Sequence, residues 1–271
     1  MPATALSSCL EPAAGAVHPP LEDNQGWCAS CGKYHTLAAE AAWQECLVLM
    51  AQLARYQRLD FGHPDSGPLD VRCSTQPLFA ANGGKMFGVL LCQDQQGRRQ
   101  KLRAFSGQYN GLWHIDGWVP PVFDTVAFDA LNATTEPVIK QLGQQIELSP
   151  DAIKRVLVEE RRHLSQALMR DIHALYKLTN FRGQTCLLTE VFQGNGAPPT
   201  GTGDCCGPKL LNYAATHRLA PIALAEFFWG CESAAGSRIH GQAYPPCAGR
   251  CIPILGFMLC GLELEPCPTL R

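Results

Sequence analysis

Apolar residues recur at three- and four-residue spacing in several parts of the chain, and this spacing predicts amphipathic helices. The segments with this pattern are 39–57, 148–178, 208–219 and 251–260. Ser149 is the expected N-cap of the second helix and Pro150 its first residue. The last helix is short and carries Pro253 in its first turn, a position that proline tolerates.

Short apolar runs bounded by turn residues predict strands. The runs KMFGVLLC (85–92) and KLRAFSGQ (101–108) are separated by a polar turn that contains Gly97, which is the pattern of a β-hairpin. Two further strands are predicted at 221–230 and 262–265. The stretch between the hairpin and the second helix is only weakly patterned.

The order of the elements is helix, hairpin, inserted helical segment, helix, strand, helix and strand. If parallel strands are joined through helices, this order predicts an α/β fold in three layers, α/β/α. We expect a disordered tail at 1–25, a Cys/His knuckle with the first helix at 26–75, and a main domain at 80–271 that carries a helical insertion at about 125–185.

Composition excludes some classes of function. The chain has 271 residues, 46% of them hydrophobic and 17% charged, which is ordinary for a globular protein. Its net charge of −2 gives no global attraction to nucleic acid, and no apolar run is long enough for a membrane helix. With no signal peptide, the 14 cysteines indicate thiols or metal ligands in a reducing, cytoplasmic compartment.

Two groups of cysteines stand where helices are expected to begin. Cys205 precedes the third predicted helix, and Cys247 and Cys251 precede the fourth. Zinc-dependent nucleobase deaminases place three ligands at two adjacent helix starts in this way and leave the fourth coordination position to water. The sequence therefore predicts a Zn²⁺ site made by these three cysteines.

The match to the deaminase pattern has two departures. The spacing Cys247-x-x-x-Cys251 is one residue longer than usual, and Gly207 stands where a catalytic Glu is expected. The candidate proton carriers are Asp204, next to the first ligand, and Glu226 on the predicted strand, although Asp204 could equally be a helix cap.

Two other interpretations of these thiols remain open. Cys206 or His240 could add a fourth ligand and close the site, which makes the metal structural rather than catalytic. A redox pair without a metal is also compatible with this spacing.

Several longer motifs resemble a known family. GTGDCCGPKLLNYA, LAEFFWG and YPPCAGRCIPILGFML, together with GKMFGVLLC, LRAFSGQ and GWVPPVFD, resemble the N-terminal region of long RluA-type RNA pseudouridine synthases over about residues 80–265. The resemblance implies a cytidine-deaminase-like sheet, with a small N-terminal zinc-knuckle-like extension, that works on RNA bases. The chain stops at GLELEPCPTLR, where the synthase domain is expected, so pseudouridine synthase activity is not expected from it alone.

A second candidate metal site lies near the start of the chain. Cys28, Cys31 and His35 have the spacing of a zinc knuckle, which is a structural site in most proteins. Cys9 or Cys73 could supply the fourth ligand, and bare thiols are the alternative.

The aromatic loop after the hairpin is a candidate surface for an extruded base. Trp113, His114 and Trp118 could stack on a base, and Arg103 could contact the substrate or pair with Asp116. Aromatic residues that cap a core have the same sequence pattern.

Two functions follow. The first is a zinc-dependent cytidine deaminase that acts on tRNA or rRNA. The second is a non-catalytic, zinc-stabilised RNA-binding module that works with a pseudouridine synthase in trans. Both predict an RNA partner, and neither involves DNA or a membrane.

Overall fold

The computed structural model describes residues 21–61, 70–232 and 238–262 of a mixed α/β protein. The helices are α1 (Glu40–Tyr56), α2 (Thr125–Leu148), α3 (Asp151–Ala174), α4 (Leu188–Val191), α5 (Cys206–Thr216) and α6 (Ile252–Met258). The strands are β1 (Asn24–Cys28), β2 (Lys33–Leu37), β3 (Lys85–Gln93), β4 (Arg99–Phe105), β5 (Lys177–Thr179), β6 (Thr185–Leu187) and β7 (Ala220–Trp229). No helix within these ranges is both long and apolar enough to cross a lipid bilayer.

The largest sheet has the strand order β4-β3-β7, and β3 pairs antiparallel with both neighbours. Val89 on β3, for example, lies opposite Arg103 on β4 and Ala225 on β7. The expectation of parallel neighbours is therefore wrong for the described strands. Strand direction between segments far apart in sequence is set by tertiary packing, which the apolar pattern of a strand does not report.

Each face of this sheet is covered by helices. On one face, Trp43 of α1 belongs to the same buried cluster as Phe87 and Phe227. On the other face, Leu210 of α5 is buried in a second cluster with Leu90. The two clusters arise because successive strand residues point to opposite faces, so that a continuous apolar strand needs a cover on both sides.

Most of the predicted elements are confirmed, with two corrections. The segments predicted as the first, third and fourth helices, the hairpin and the strand at 221–230 correspond to α1, α5, α6, β3–β4 and β7. Helix α3 begins at Asp151 with Pro150 as its N-cap, and the Ser149 hydroxyl instead donates to the Gln145 carbonyl at the end of α2. The predicted strand at 262–265 lies outside the described residues, apart from Leu262.

The second correction concerns the weakly patterned stretch within the expected helical insertion, for which no element bounds were predicted and which forms the 24-residue helix α2. It packs mainly on α3, and Leu142 is its one residue that is classed as buried. Helix α3 reaches the main core through Leu168 and Ile172 near its end. The apolar pattern of α2 is weak because the helix buries a narrow seam rather than a full face, and Pro137 in its interior obscures the pattern further.

The N-terminal hairpin β1–β2 packs against α6. The contact is a direct approach of two backbones: a Cβ added to Gly256 would lie 1.8 Å from the Trp27 carbonyl oxygen, and one added to Gly26 would lie 2.3 Å from the Gly256 nitrogen. Asn24 is buried and its Nδ2 donates to the Leu224 carbonyl of β7. Asn24 and Gln25, the last two residues of the predicted disordered tail, belong to β1 instead, and residues 1–20 lie outside the described part of the chain.

The contact between α6 and β1 predicts that alanine in place of Gly256 destabilises the protein. Gly256→Ala should lower the free energy of unfolding by at least about 2 kcal/mol, because the added methyl group overlaps a backbone carbonyl that cannot turn away. Urea denaturation of wild type and variant measures this difference.

The matched control is Gly143→Ala in the interior of α2, where the nearest atom lies 3.9 Å from the added Cβ. That change should stabilise the protein by up to about 1 kcal/mol, since alanine has the higher helix propensity. Equal effects of the two substitutions would contradict the close contact.

Candidate metal centre

Three cysteines from two distant segments meet beside the sheet. Cys205 is the N-cap of α5, Cys251 is the N-cap of α6, and Cys247 lies one turn before α6. Their sulfur atoms all lie within 4.8 Å of one another, and Cys247 Sγ is 3.5 Å from Cys251 Sγ. Two sulfurs bound to one zinc ion are about 3.8 Å apart, given a Zn–S distance of about 2.3 Å and tetrahedral angles. This three-cysteine cluster could therefore hold a metal ion.

The residues considered as a fourth ligand point elsewhere. Cys206 is fully buried and its thiol donates to the Met86 carbonyl, 3.4 Å away. His240 accepts a hydrogen bond from the Gly230 N–H through Nδ1, at 3.0 Å, and its ring packs on Trp229. Within the described ranges, no other His, Cys, Asp or Glu joins the three sulfurs. One coordination position is thus left for a ligand that is not one of these side chains.

The three thiols do not ionise alike. Hydrogen bonds from the Cys205 and Cys251 thiols lower the pKa of Cys247, while the same bonds and burial raise the pKa values of Cys205 and Cys251. Without a metal, the cluster therefore carries one thiolate that accepts from two thiols. A bound divalent cation allows all three to ionise, because it compensates the negative charges.

Glu226 on β7 is the carboxylate that lies beside this cluster. Its Oε1 accepts a hydrogen bond of 2.8 Å from the Gly207 N–H in the first turn of α5. Burial, together with the negative charge of Cys247, raises the pKa of Glu226 to about 7 against the opposing effects of the Gly207 N–H and the positive charge of Arg238. A carboxyl group with this pKa can both donate and accept a proton near neutral pH.

Two glycines make room for this carboxylate. A Cβ on Gly207 would lie 2.9 Å from Glu226 Oε1, and one on Gly88 of β3 would lie 3.2 Å from Glu226 Cγ. The glycine at 207, which departs from the deaminase pattern, therefore occupies the place that the glutamate side chain needs. A proton carrier presented from β7 and a side chain at 207 exclude each other sterically.

Two neighbouring cavities lie near this carboxylate and the cluster. One, of about 70 Å³, is lined by Glu226, Tyr244 and Pro246 among others. The other, of about 380 Å³, shares Tyr244 and Pro246 and is also lined by Cys247 and Arg238. Glu226 and Cys247 thus line adjacent cavities that have residues in common.

Asp204, the other candidate proton carrier, belongs to a separate polar network. Its Oδ1 accepts a hydrogen bond of 2.7 Å from the Tyr176 hydroxyl. Burial raises the pKa of Asp204, whereas the Tyr176 hydroxyl and the positive charge of Lys209 lower it. Lys209 is itself buried and donates to the carbonyls of Phe105 and Gly107. This network fixes the loop after β4 against the start of α5.

Two of the residues predicted to bind substrate belong to the core on the α1 side. Trp118 is buried, donates its indole N–H to the Leu59 carbonyl at 2.8 Å, and packs on Phe87. Arg103 lies over the Trp118 ring and donates to the Gly117 carbonyl at 2.7 Å, rather than pairing with Asp116. A buried ring with these neighbours offers no free face to a base, so the structure does not support this role for Trp118.

The other two predicted substrate residues lie on the α5 side of the sheet. Trp113 packs edge-on against Phe123 and Phe128, and Lys209 Nζ lies 5.9 Å from the centre of its ring. His114 Nε2 is 3.3 Å from the Thr125 hydroxyl. Trp113 and Trp118 are therefore separated by the sheet and do not form one stacking surface.

A second cluster contains the predicted knuckle residues and one that the sequence analysis missed. Ligand atoms of Cys28, Cys31, His35 and Cys260 all lie within 4.8 Å of one another, with Cys31 Sγ 3.0 Å from His35 Nε2 and 3.8 Å from Cys260 Sγ. This four-ligand cluster could also hold a metal ion. Cys260 was overlooked because it ends the apolar run of α6 and reads as a core residue.

The two fourth ligands that were proposed for the knuckle are not part of this cluster. Cys73 is buried in the core on the α1 side, where burial raises its thiol pKa to about 11. Cys9 lies outside the described residues.

Compared with known proteins, the chain matches no protein-family model, no curated protein and no solved structure.

The thiol pKa values predict that metal binding to the three-cysteine cluster releases protons. Cys205 and Cys251 are protonated at neutral pH, because their pKa values lie above 9.0, whereas Cys247 is ionised. A metal ion takes all three as thiolates, so about two protons leave per ion, and the apparent affinity should rise about 100-fold per pH unit around neutrality. Calorimetric zinc titrations in buffers of different ionisation enthalpy give the proton count.

The control for this measurement is Cys247→Ser, which removes the thiolate that the other two thiols contact. Subtracting its proton count from that of the wild type isolates the three-cysteine cluster from the four-ligand cluster. A difference near zero would contradict the protonation states given above.

Proposed function

We propose that the protein is a zinc-dependent base deaminase, in which Cys205, Cys247 and Cys251 hold Zn²⁺ and Glu226 carries the proton. The observation that carries this proposal is the meeting of three sulfurs, with no fourth side-chain ligand among the described residues, near a buried carboxylate. Closed metal sites stabilise a fold, whereas catalytic zinc sites combine three protein ligands with an open position.

The order of the elements supports a cytidine-deaminase-like arrangement in three layers, α/β/α. A hairpin is followed by a helix that starts at the first ligand, then by a strand, and then by a helix that starts at the second pair of ligands. The starts of α5 and α6 meet at the three sulfurs. The helices α2 and α3 are an insertion into this plan.

The residues of the chain would divide the work of hydrolytic deamination as follows. The three sulfurs would hold a zinc ion, whose chemical contribution would be to make a water molecule acidic near neutral pH, because zinc lowers the pKa of bound water to about 7. Glu226 accepts the proton of the attacking water and delivers it to the leaving amino group, so that cytosine and water become uracil and ammonia. The Gly207 N–H holds the Glu226 carboxyl group in place through Oε1.

RNA is the substrate class that we propose, on the strength of the resemblance to the N-terminal region of RluA-type pseudouridine synthases. A base in tRNA or rRNA must leave its stack to reach the adjacent cavities that Glu226 and Cys247 line. Trp113 and His114 remain candidates for contacts to the flanking nucleotides. The net charge of −2 confines phosphate contacts to local groups of arginine and lysine residues.

Glu226→Gln tests the assignment of the proton carrier. The amide can still accept the Gly207 N–H but cannot exchange a proton, so deamination should fall at least about 100-fold while the zinc content stays unchanged. The assay incubates tRNA and rRNA from cells that lack the protein with the purified enzyme, and then measures converted nucleosides by mass spectrometry.

Two further variants serve as controls. Cys247→Ser should lose both one zinc ion and the activity, whereas Asp204→Asn should keep most of the activity because we place Asp204 in a positioning network. If the Asp204→Asn variant is as inactive as the Glu226→Gln variant, the assignment of Glu226 as the sole proton carrier is wrong.

The second candidate function is a non-catalytic, zinc-stabilised RNA-binding module that works with a pseudouridine synthase in trans. The observation in its favour is the burial of Glu226, which has only 8% of its surface exposed and lies behind a narrow cavity. A zinc-loaded wild-type protein that binds RNA but releases no ammonia from it supports this function.

A further inference from the structure

The four-ligand cluster has the complete ligand set of a structural zinc site. Three thiolates and one imidazole are soft and borderline donors that suit Zn²⁺, and four ligands fill a tetrahedral shell. The Cys31–Cys260 sulfur distance of 3.8 Å equals the spacing of about 3.8 Å that tetrahedral zinc imposes on two thiolates. No open position is left for a substrate.

Burial of the ligands agrees with a closed site. Cys28 is 0% exposed, His35 3% and Cys260 1%, so water has no path to the centre through these three residues. Cys31 is the one ligand at the surface, in the turn between β1 and β2. An arrangement of this kind stabilises a fold and does not catalyse.

An arginine next to the cluster supplies the charge that such a site needs. Arg182 Nε donates to Cys260 Sγ at 3.2 Å. Three thiolates and one Zn²⁺ leave a net charge of −1, which the guanidinium compensates. Hydrogen bonds from outside the ligand set orient metal ligands and tune their affinity, so Arg182 acts on the metal through Cys260.

The cluster connects three parts of the chain at the end of α6. Cys28, Cys31 and His35 come from the hairpin β1–β2, whereas Cys260 follows α6 by two residues. The loop between β5 and β6 joins them, because the Phe181 N–H donates to the Cys260 carbonyl at 3.0 Å and Arg182 contacts its sulfur.

Helix α6 thereby spans the two clusters. Cys251 of the three-cysteine cluster caps its start, and Cys260 lies nine residues later, about 13 Å along a helix. Between them, Gly256 packs directly on the Trp27 carbonyl, so that α6 and the hairpin β1–β2 move together as one unit. A displacement of Cys260 therefore moves Cys251.

From these contacts we infer that the four-ligand cluster is a closed zinc site that anchors α6 and thereby fixes Cys251 within the three-cysteine cluster. The metal in the four-ligand cluster thus helps to position a ligand of the metal in the three-cysteine cluster. This inference requires metal binding at both clusters but does not depend on the proposed deamination, so the two can fail separately.

Cadmium-113 NMR of the wild-type protein tests the ligand sets. Two resonances are expected, one from a site with three sulfurs and one nitrogen and one from a site with three sulfurs alone. Cys260→Ser should remove or strongly shift the first resonance, while Cys186→Ser, at a half-buried cysteine outside both clusters, should leave both in place. If Cys260→Ser leaves both resonances unshifted, the closed site is refuted.

Zinc affinity tests the anchoring role. Competition with a chelator should show that Cys260→Ser weakens binding at the three-cysteine cluster at least about fivefold, the lower end of typical coupling between sites. Cys186→Ser should have no such effect. Unchanged affinity at the three-cysteine cluster, with the other site lost, overturns the anchoring.

Arg182→Gln gives a second readout without removing a ligand, which matters if Cys260→Ser fails to fold. It should weaken zinc binding at the four-ligand cluster about tenfold, because the thiolate charge is no longer compensated. Arg170→Gln, on the exposed part of α3, is the control. Equal affinities of these two variants contradict the role given to Arg182.

Discussion

The position of α6 is the constraint on which both metal centres depend. This helix has seven residues and too few turns to hold its own orientation, so contacts at its start, middle and end must fix it. Cys251 lies at its start, Gly256 meets the Trp27 carbonyl in its middle, and Cys260 follows its end. The glycine is required because any side chain there separates the helix from β1. With α6 in place, two groups of sulfurs come within ligand distance.

Local patterns predicted the regular elements better than their arrangement. Helix α1, the hairpin β3–β4 and strand β7 have strong apolar periodicity, because each buries one or both faces. The bounds of helix α2, within the expected helical insertion, were not predicted because it packs mainly on one partner and contains Pro137. The antiparallel direction of β7 could not be predicted from its sequence, since a strand buried on both faces has the same apolar run in either direction.

The three-cysteine cluster could be predicted because its ligands lie at helix starts, which can be recognised in the sequence. Cys205, Cys247 and Cys251 lie where α5 and α6 begin, so finding the helices also found the ligands. Cys260 and Tyr176 have no comparable signal: one ends an apolar run, and the other reaches Asp204 only through the fold. The substrate residues were chosen for their proximity in sequence, and the sheet separates Trp113 from Trp118 because adjacent segments can pack on opposite faces.

Two carboxylates flank Cys205, and their surroundings separate their roles. Burial raises the pKa of Asp204, but this carboxylate accepts from Tyr176 and lies near Lys209, whose positive charge favours the ionised form. Burial also raises the pKa of Glu226, and there the negative charge of Cys247 acts in the same direction, against the Gly207 N–H and the positive charge of Arg238. A group that exchanges protons near neutral pH must have both forms accessible. Glu226 meets this requirement, and Asp204, tied into a network with a hydroxyl and an ammonium group, is better suited to hold the start of α5 in position.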